Sequence, residues 1–231
     1  MTLVLLPGMD GTGALFEPLL AALSPEFKTH VVRYPVEEPL GYAELEAIAR
    51  AALPTDQPFV ILGESFSGPI AVALAAARPP NLKGLVLCCS FVRNPRPLLA
   101  SLRLLVTLVP VRFVPIQILS RFLLGQYSSA RLRSALAEAL ARVSSTALRA
   151  RVRAVLATDV SSKLASTTVP TLYMRAARDR VVPRAASALV SSLSPRARVV
   201  ELEGPHFLLQ AAPKEAAQVI GSFIREVQVA L

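Results

Sequence analysis

Six short apolar runs recur along the 231-residue chain, and longer stretches with helical periodicity separate them. The runs are Thr2–Leu6, Thr29–Val32, Phe59–Leu62, Leu85–Cys89, Thr171–Met174 and Val199–Leu202. Several are apolar throughout, which is typical of strands buried on both faces of a parallel sheet. The helical stretches are Ala14–Leu23, Tyr42–Leu53, Phe66–Ala77, Arg184–Leu193 and Pro213–Val229. Strands that alternate with helices predict a doubly wound α/β fold.

One interval departs from this alternation. Residues 91–166 contain no convincing strand and have a helical pattern, which is clearest over Arg131–Leu156, where apolar residues recur at steps of three to five. We therefore predict an inserted helical cap at 91–166 and an α/β core at 1–90 and 167–231.

Composition excludes several other classes. A hydrophobic content of 53% and a charged content of 18% exclude a disordered chain. The most apolar region, Leu98–Leu124, is interrupted by three arginines and two prolines, so it is not a membrane span. The first residues lack the basic segment of a signal peptide, and the adjacent Cys88 and Cys89 imply no disulfide framework. We expect a cytoplasmic protein.

The formal net charge of +9 is concentrated in one segment. Residues 91–160 hold eleven arginines against only Glu138 and Asp159, and the rest of the chain is balanced. Two interpretations stay open. A general bias toward arginine, alanine and leucine accounts for the excess, or this segment binds an acidic partner or an anionic surface.

The strongest chemical signal is Gly-Glu-Ser-Phe-Ser-Gly at residues 63–68, between an apolar run and a helical stretch. A serine on a tight strand-to-helix turn has its hydroxyl exposed above the sheet, at the amino end of the helix. The common form of this turn is G-x-S-x-G, and here Ser67 takes the place of the second glycine. Ser65 is the better nucleophile, because Ser67 would have Pro69 two residues after it. The alternative is an ordinary N-capping serine.

The chain has two histidines, which narrows the choice of general base. His206 follows the last apolar run through a turn, and so is expected at the carboxyl ends of the strands, where catalytic groups of open α/β sheets gather. His30 begins an apolar run at the opposite edge and is interpreted as structural. We therefore predict that His206 accepts the proton of the serine.

A carboxylate is needed to orient that imidazole. Asp179 lies just past Thr171–Met174, at the same predicted edge, whereas Asp56 precedes a strand and Asp159 ends the cap. The arginines that flank Asp179 are expected to keep it ionised. The predicted catalytic residues are thus Ser65, Asp179 and His206, in that chain order.

The loop after the first strand, Pro-Gly-Met-Asp-Gly-Thr-Gly at residues 7–13, is rich in glycine. It matches neither the P-loop nor the dinucleotide-binding template. It does offer a free backbone N–H at Met9, beside the N–H of Phe66. These two groups are predicted to form an oxyanion hole.

Together three features resemble the α/β-hydrolase superfamily over essentially the whole chain. They are the strand-to-helix turn at residues 63–68 (the elbow), the placement of Asp179 and His206, and the loop at residues 7–13. The loop is similar to that of bacterial carboxylesterases and hydrolase-like acyltransferases. The helical cap resembles that of carboxylesterases acting on pimeloyl esters of acyl carrier protein. The resemblance implies a minimal α/β-hydrolase fold of six parallel strands, with the cap between the sixth and seventh strands of the family fold and Thr29–Val32 as an exposed edge. Pro7 stands where the family more often has histidine. A serine nucleophile argues against the dehalogenase and epoxide-hydrolase branches.

The expected function is hydrolysis of a carboxylic ester through an acyl-enzyme, without metal or organic cofactor. An acyltransferase, thioesterase or perhydrolase with the same triad is the alternative, and a non-catalytic lipid-binding module is a third. Met9, Val181 and Phe207 are candidate substrate contacts. Two interpretations are open for a set of apolar cap residues: they form an apolar roof over the substrate, or they simply pack the cap onto the sheet. The residues are Leu102, Leu105, Phe113, Ile116, Leu119 and Phe122. If the basic charge is functional rather than a compositional bias, the cap is the docking surface for acyl carrier protein or anionic lipid; no nucleic-acid partner is expected.

Overall fold

A computed structural model describes residues 1–98 and 114–229, and it contains one six-stranded parallel sheet. The strands are β1 (Thr2–Leu6), β2 (Lys28–Val31), β3 (Phe59–Glu64), β4 (Leu82–Cys88), β5 (Thr171–Ala176) and β6 (Arg198–Leu202). Their spatial order is β2-β1-β3-β4-β5-β6. The predicted doubly wound α/β fold with six parallel strands is confirmed.

Ten helices lie in the described part of the chain. They are α1 (Glu17–Ala22), α2 (Tyr42–Ala51), α3 (Gly68–Ala76), α4 (Ile116–Leu123), α5 (Ala130–Ala141), α6 (Ser145–Ala157), α7 (Ser161–Ala165), α8 (Arg184–Leu193), α9 (Leu208–Ala211) and α10 (Pro213–Val229). Short 3-10 turns occupy Ala14–Phe16, Ser65–Ser67 and Gly125–Tyr127. Among the described helices, none has both the length and the apolar character that a membrane span needs.

The apolar strands supply two hydrophobic cores because successive side chains point to opposite faces. In β1, Leu3 and Leu5 pack with α1, α9 and α10, whereas Val4 and Leu6 pack with α2, α3, α7 and α8. Each such side chain contributes roughly 1.5–3 kcal/mol when it is fully buried. The continuous apolar runs in the sequence therefore reflect a sheet covered on both sides.

The edge strand β2 differs from the central strands in being exposed to solvent. Lys28, Thr29 and His30 are all exposed, as predicted for an edge, and His30 pairs in register with Val4 in the middle of β1. His30 does not begin the strand, as the sequence led us to expect, but is the third of the four residues of β2. It lines a surface hollow with Thr2 and Gln57, at the amino ends of β1 and β3, and its structural role stays a prediction.

Helices α4 to α7 lie between β4 and β5, in the interval predicted to be helical. The pattern over Arg131–Leu156 is not one uninterrupted helix: α5 ends at Ala141 and α6 begins at Ser145. The hydroxyl of Ser144 caps α6 by accepting a hydrogen bond from the Ala147 N–H at 3.1 Å. Of the predicted roof residues, Leu102, Leu105 and Phe113 lie outside the described residues.

Candidate active site

The candidate nucleophile lies where β3 turns into α3. β3 ends at Glu64, and Ser65 has a φ of 47°, in the left-handed region that non-glycine residues seldom adopt. Such strain is held only where the surrounding structure fixes it. Here Ser90 Oγ donates a hydrogen bond to the Ser65 carbonyl at 2.5 Å, and Tyr42 Oη donates to the Phe66 carbonyl at 3.0 Å. The elbow predicted from the sequence is present.

The tight turn explains the small residues that flank it. A Cβ on Gly63 would lie 2.7 Å from the Ser67 carbonyl oxygen, and a Cβ on Gly68 would lie 1.7 Å from Ser90 Oγ. Glycine is thus required two residues before Ser65 and three residues after it. The motif departs from G-x-S-x-G because the second close approach falls at Gly68, one position later.

Ser67 is fully buried and committed to structural hydrogen bonds. Its hydroxyl donates to the Pro7 carbonyl and lies 2.9 Å from the hydroxyl of Tyr34. These bonds join the elbow to the loop after β1 and to the segment after β2. Ser67 is therefore not available as a nucleophile.

His206 lies opposite Ser65, on the loop between β6 and α9. Its side chain is 3% exposed, and its Nε2 atom is 2.8 Å from Ser65 Oγ. Phe207, the next residue, donates its N–H to the Leu123 carbonyl at the end of α4, at 3.1 Å. The structure brings together the two side chains that the sequence singled out, although they lie 141 positions apart.

Asp179 completes the line of hydrogen bonds from the loop after β5. Its Oδ2 atom is 2.9 Å from His206 Nδ1, and its Oδ1 atom accepts the N–H groups of Val181 at 2.8 Å and Val182 at 2.9 Å. Oδ2 of Asp179 is thus bonded to the imidazole, while Oδ1 is held by the backbone. With a proton on Nδ1, the imidazole has the tautomer whose Nε2 can accept the serine proton.

The arginines that flank Asp179 form hydrogen bonds with other groups, and their expected effect on its charge stays a prediction. Arg178 Nε pairs with Glu203 at 3.1 Å, and Arg180 Nη1 donates to the Arg121 carbonyl at 3.3 Å. The hydrogen bonds to Asp179 Oδ1 come from the backbone amides of Val181 and Val182, while both arginine side chains are exposed and bond to surface partners.

The loop after β1 orients the N–H of Met9. The Gly8 carbonyl accepts the Gly11 N–H at 3.1 Å. Because a trans peptide is planar, the N–H of the same Gly8–Met9 unit points the opposite way. Within the described part of the chain, this N–H has no hydrogen-bond partner.

Met9, Val181 and Phe207, the three predicted substrate contacts, are half-buried residues adjoining these elements. In the described part of the predicted roof, Ile116 and Leu119 are half-buried and Phe122 is 53% exposed. Their contact with substrate stays a prediction.

Cys89 is the nearest potential metal ligand to this group. Its Sγ atom and ligand atoms of Asp179 and His206 all lie within 4.8 Å of one another. Asp179 and His206 are hydrogen-bonded to each other, and Cys89 is buried. We therefore interpret the cluster as part of the hydrogen-bonded site.

Glu64 is a buried carboxyl group that the sequence did not reveal, because it occupies the variable position of the elbow motif. Gln210 Nε2 donates to its Oε1 atom at 2.9 Å and to the Leu15 carbonyl at 3.1 Å. Burial raises the pKa of Glu64 to about 7, the charge of Asp10 adds to this, and hydrogen bonds from Gln210 and the Gly8 N–H oppose it. The carboxyl group of Glu64, in the elbow, is thus hydrogen-bonded both to the loop after β1 and to α9.

This raised pKa predicts a pH-dependent stability. Between its ordinary pKa of 4.5 and about 7, Glu64 stays protonated in the folded chain and ionises in the unfolded chain. The free energy of unfolding should therefore fall as the pH rises through this window, by about 3 kcal/mol from this group, and level off above it. Urea unfolding of the wild type and of Glu64→Gln at pH 4.5, 6 and 8 measures this. The difference between the two proteins should change by about that amount, and parallel pH curves would contradict the assignment.

Comparisons with known proteins identify the family to which the chain belongs. The sequence profile of the Alpha/beta hydrolase family matches residues 3–219. The chain belongs to this family. A curated relative, the pimeloyl-[acyl-carrier protein] methyl ester esterase of Xanthomonas oryzae pv. oryzae, is 31% identical in an alignment of 221 positions that covers 87% of this chain and 86% of the relative.

Solved structures share the fold at low sequence identity. A hydrolase from Oleispira antarctica has a TM-score of 0.83 at 16% identity, covering 97% of this chain and 90% of its own. A thermophilic esterase from Thermogutta terrifontis has a TM-score of 0.83 at 18% identity, covering 98% and 90%. The resemblance inferred from the sequence is thereby confirmed for the family and the fold.

Proposed function

We propose that this α/β-hydrolase cleaves carboxylic esters, with Ser65 as nucleophile, His206 as general base and Asp179 as the carboxylate that orients it. The observation that carries the proposal is the line of hydrogen bonds from Ser65 Oγ through both ring nitrogens of His206 to Asp179, at 2.8 and 2.9 Å. The naming of the curated relative as an esterase supports the same reaction class.

In the first half-reaction, Ser65 Oγ attacks the ester carbonyl carbon while His206 Nε2 takes the serine proton. The carbonyl oxygen becomes an oxyanion, to which the N–H groups of Met9 and Phe66 donate. When the tetrahedral intermediate collapses, the bond to the alcohol oxygen breaks and His206 returns the proton to the leaving alcohol. The acyl group stays on Ser65.

In the second half-reaction, His206 removes a proton from a water molecule that attacks the acyl-enzyme. The bond between Ser65 Oγ and the acyl carbon breaks, and Ser65 regains its proton from His206. Asp179 stabilises the imidazolium that forms in each step.

We propose in addition that residues 91–166 form a cap that covers this site. The support is direct contact with the catalytic loops: α4 accepts the Phe207 N–H at Leu123, and Tyr127 Oη donates to Glu203 at 2.7 Å. Ile116 and Leu119 of α4 are then expected to face the acyl chain. The division into core and cap stays a prediction, as does a cytoplasmic location.

For the substrate, we propose an ester whose acyl group is attached to an acidic carrier protein. Two observations support this. The curated relatives are named for an ester of this kind, and the helices between β4 and β5 carry exposed arginines: Arg131, Arg133, Arg142 and Arg153. Arg131 pairs with Glu17 at 2.9 Å, whereas Arg142 makes no ion pair with any described residue.

The test compares a methyl ester on acyl carrier protein with the corresponding free methyl ester, at about 20 mM and 300 mM salt. The carrier-linked ester should be hydrolysed with the higher kcat/KM at low salt, and its advantage should shrink by at least about tenfold at high salt, because screening weakens steering by charge. Hydrolysis of neither ester would contradict the esterase assignment. Equal, salt-insensitive rates would contradict carrier docking alone.

A charge-reversed variant sharpens the test. Arg133→Glu combined with Arg142→Glu should lower kcat/KM for the carrier-linked ester and leave the free ester unchanged. Arg196→Glu, an exposed arginine before β6, is the matched control and should affect neither substrate.

A further inference from the structure

Arg151 is the largest fully buried side chain in the described part of the chain, and its charge is the unusual feature. It lies on α6, in the helical segment between β4 and β5, and it has no exposed surface. Nη1 donates to the carbonyls of Met9 at 2.7 Å and Asp10 at 2.9 Å, and Nη2 donates to the Pro35 carbonyl at 2.9 Å. One guanidinium group therefore ties α6 to the loops that follow β1 and β2.

This arrangement is not one that stability alone would favour. A buried guanidinium is costly to desolvate, and here its acceptors are neutral carbonyl oxygens, while its Nε atom has no partner among the described residues. The carboxylate of Asp10, the nearest acid in the same loop, accepts instead from the N–H and hydroxyl of Thr12. The specific result of burying Arg151 is a fixed direction for the Met9 and Asp10 carbonyls.

Those two carbonyls directly follow, along the chain, the N–H assigned to the oxyanion hole. The Gly8–Met9 peptide is held by the Gly11 N–H, and the following Met9–Asp10 peptide is held by Arg151. Because the two planes share the Cα of Met9, fixing both leaves the Met9 N–H little freedom to rotate. Without Arg151, only one of the two peptide planes keeps its partner.

Arg151 is also linked to the elbow. Its guanidinium carbon lies 6.0 Å from the centre of the Tyr34 ring, and the Tyr34 hydroxyl is 2.9 Å from Ser67 Oγ. The side of the site that holds Met9 and the side that holds Ser65 are therefore joined through Tyr34 and Ser67.

We propose that Arg151 is a positioning residue for catalysis: it holds the Met9 N–H in the direction required by the oxyanion of the transition state. The inference rests on the proposed function. It adds that the helical segment between β4 and β5 helps to orient an oxyanion donor of the sheet domain, through a side chain that touches no substrate atom.

The experiment measures ester hydrolysis and inhibitor binding by Arg151→Met, which keeps the length and removes the donors. We expect kcat for a p-nitrophenyl ester to fall about 10–100-fold with KM within about twofold, because the oxyanion interaction is made in the transition state. Inhibition by a trifluoromethyl ketone, which forms a hemiketal oxyanion with the nucleophilic serine, should weaken by a similar factor. Binding of the matching secondary alcohol, which forms no oxyanion, should not change.

The matched control is Ser144→Ala. Ser144 caps α6 and donates to the Glu37 carbonyl at 3.0 Å, so its loss loosens the same helix without touching the loop at Met9. We expect the melting temperature to fall by about 2–4 °C and kcat to stay within twofold. An equal loss of kcat in Ser144→Ala would show that Arg151 only secures the insertion, and would overturn the proposal.

Arg151→Lys keeps the experiment decisive if Arg151→Met does not fold. Lysine retains the charge but cannot bridge three carbonyls in a fixed plane, so kcat should still fall at least about fivefold. Wild-type kcat and ketone inhibition in the lysine variant, or in a folded methionine variant, would overturn the positioning role while leaving the esterase intact. Failure of the proposed function is a separate result, namely undiminished hydrolysis by Ser65→Ala.

Discussion

Replacing Ser65 by alanine is expected to lower kcat/KM for a p-nitrophenyl ester by about 10³–10⁶-fold. Without Oγ, no acyl-enzyme forms, and the oxyanion donors can assist only slow attack by water. The fold should be unaffected, because serine and alanine both carry a Cβ and the elbow is held by Ser90 and Tyr42 through backbone carbonyls. Steady-state kinetics and urea unfolding of the same preparation measure both quantities.

Ser67→Ala is the matched control because the second serine of the elbow has the opposite character. Its buried hydroxyl bonds to Pro7 and Tyr34, so its removal should lower the free energy of unfolding by about 1–3 kcal/mol. Its activity should fall far less than that of Ser65→Ala. If Ser65→Ala kept more than a tenth of the wild-type activity, or Ser67→Ala showed the larger loss, the nucleophile would have to be reassigned.

The second large effect is expected for Asp179→Asn, which should lower kcat by about 10⁴-fold. Oδ1 of Asp179 accepts two backbone N–H groups, so the single carbonyl oxygen of asparagine must take that place. The NH₂ group is then directed at His206 Nδ1. The imidazole must present a lone pair there and carry its proton on Nε2, and in that tautomer it cannot accept the proton of Ser65.

Asp159→Asn is the control for this prediction. Asp159 forms an exposed ion pair with Arg93 at 2.9 Å, and pairs of this type contribute little to stability. Its activity should equal that of the wild type. A loss below about tenfold in Asp179→Asn would mean that another group orients His206.

Much of the site was predictable because it follows from the geometry of a parallel sheet. Apolar runs identify strands, the carboxyl ends of parallel strands share one edge, and Ser65, Asp179 and His206 each follow a different strand. The contact between Ser65 and His206 could therefore be anticipated although they lie far apart in the chain. The second glycine of the elbow lies one position later than in G-x-S-x-G, at Gly68, and this shift does not change the placement of Ser65.

The parts that the sequence did not reveal depend on side chains whose partners are backbone atoms. An arginine within a basic, amphipathic segment is ordinarily assigned to the solvent face. The sequence pattern therefore does not indicate that Arg151 is buried and bonded to the Met9 and Pro35 carbonyls. The partners of Asp179 were missed for the same reason, since amides of a turn leave no trace in composition. Glu64 is similar: burial and the charge of Asp10 raise its pKa, the hydrogen bond from Gln210 opposes the rise, and only the folded chain brings these groups together.

The most direct measurement is covalent labelling by a serine-reactive fluorophosphonate, followed by peptide mass spectrometry. We predict one phosphonyl group per chain, on Ser65, with slow labelling in Asp179→Asn and none at that peptide in Ser65→Ala. A chain that hydrolyses esters yet is labelled on a different serine, or not labelled at all, would contradict the assignment of Ser65, His206 and Asp179 as the catalytic group.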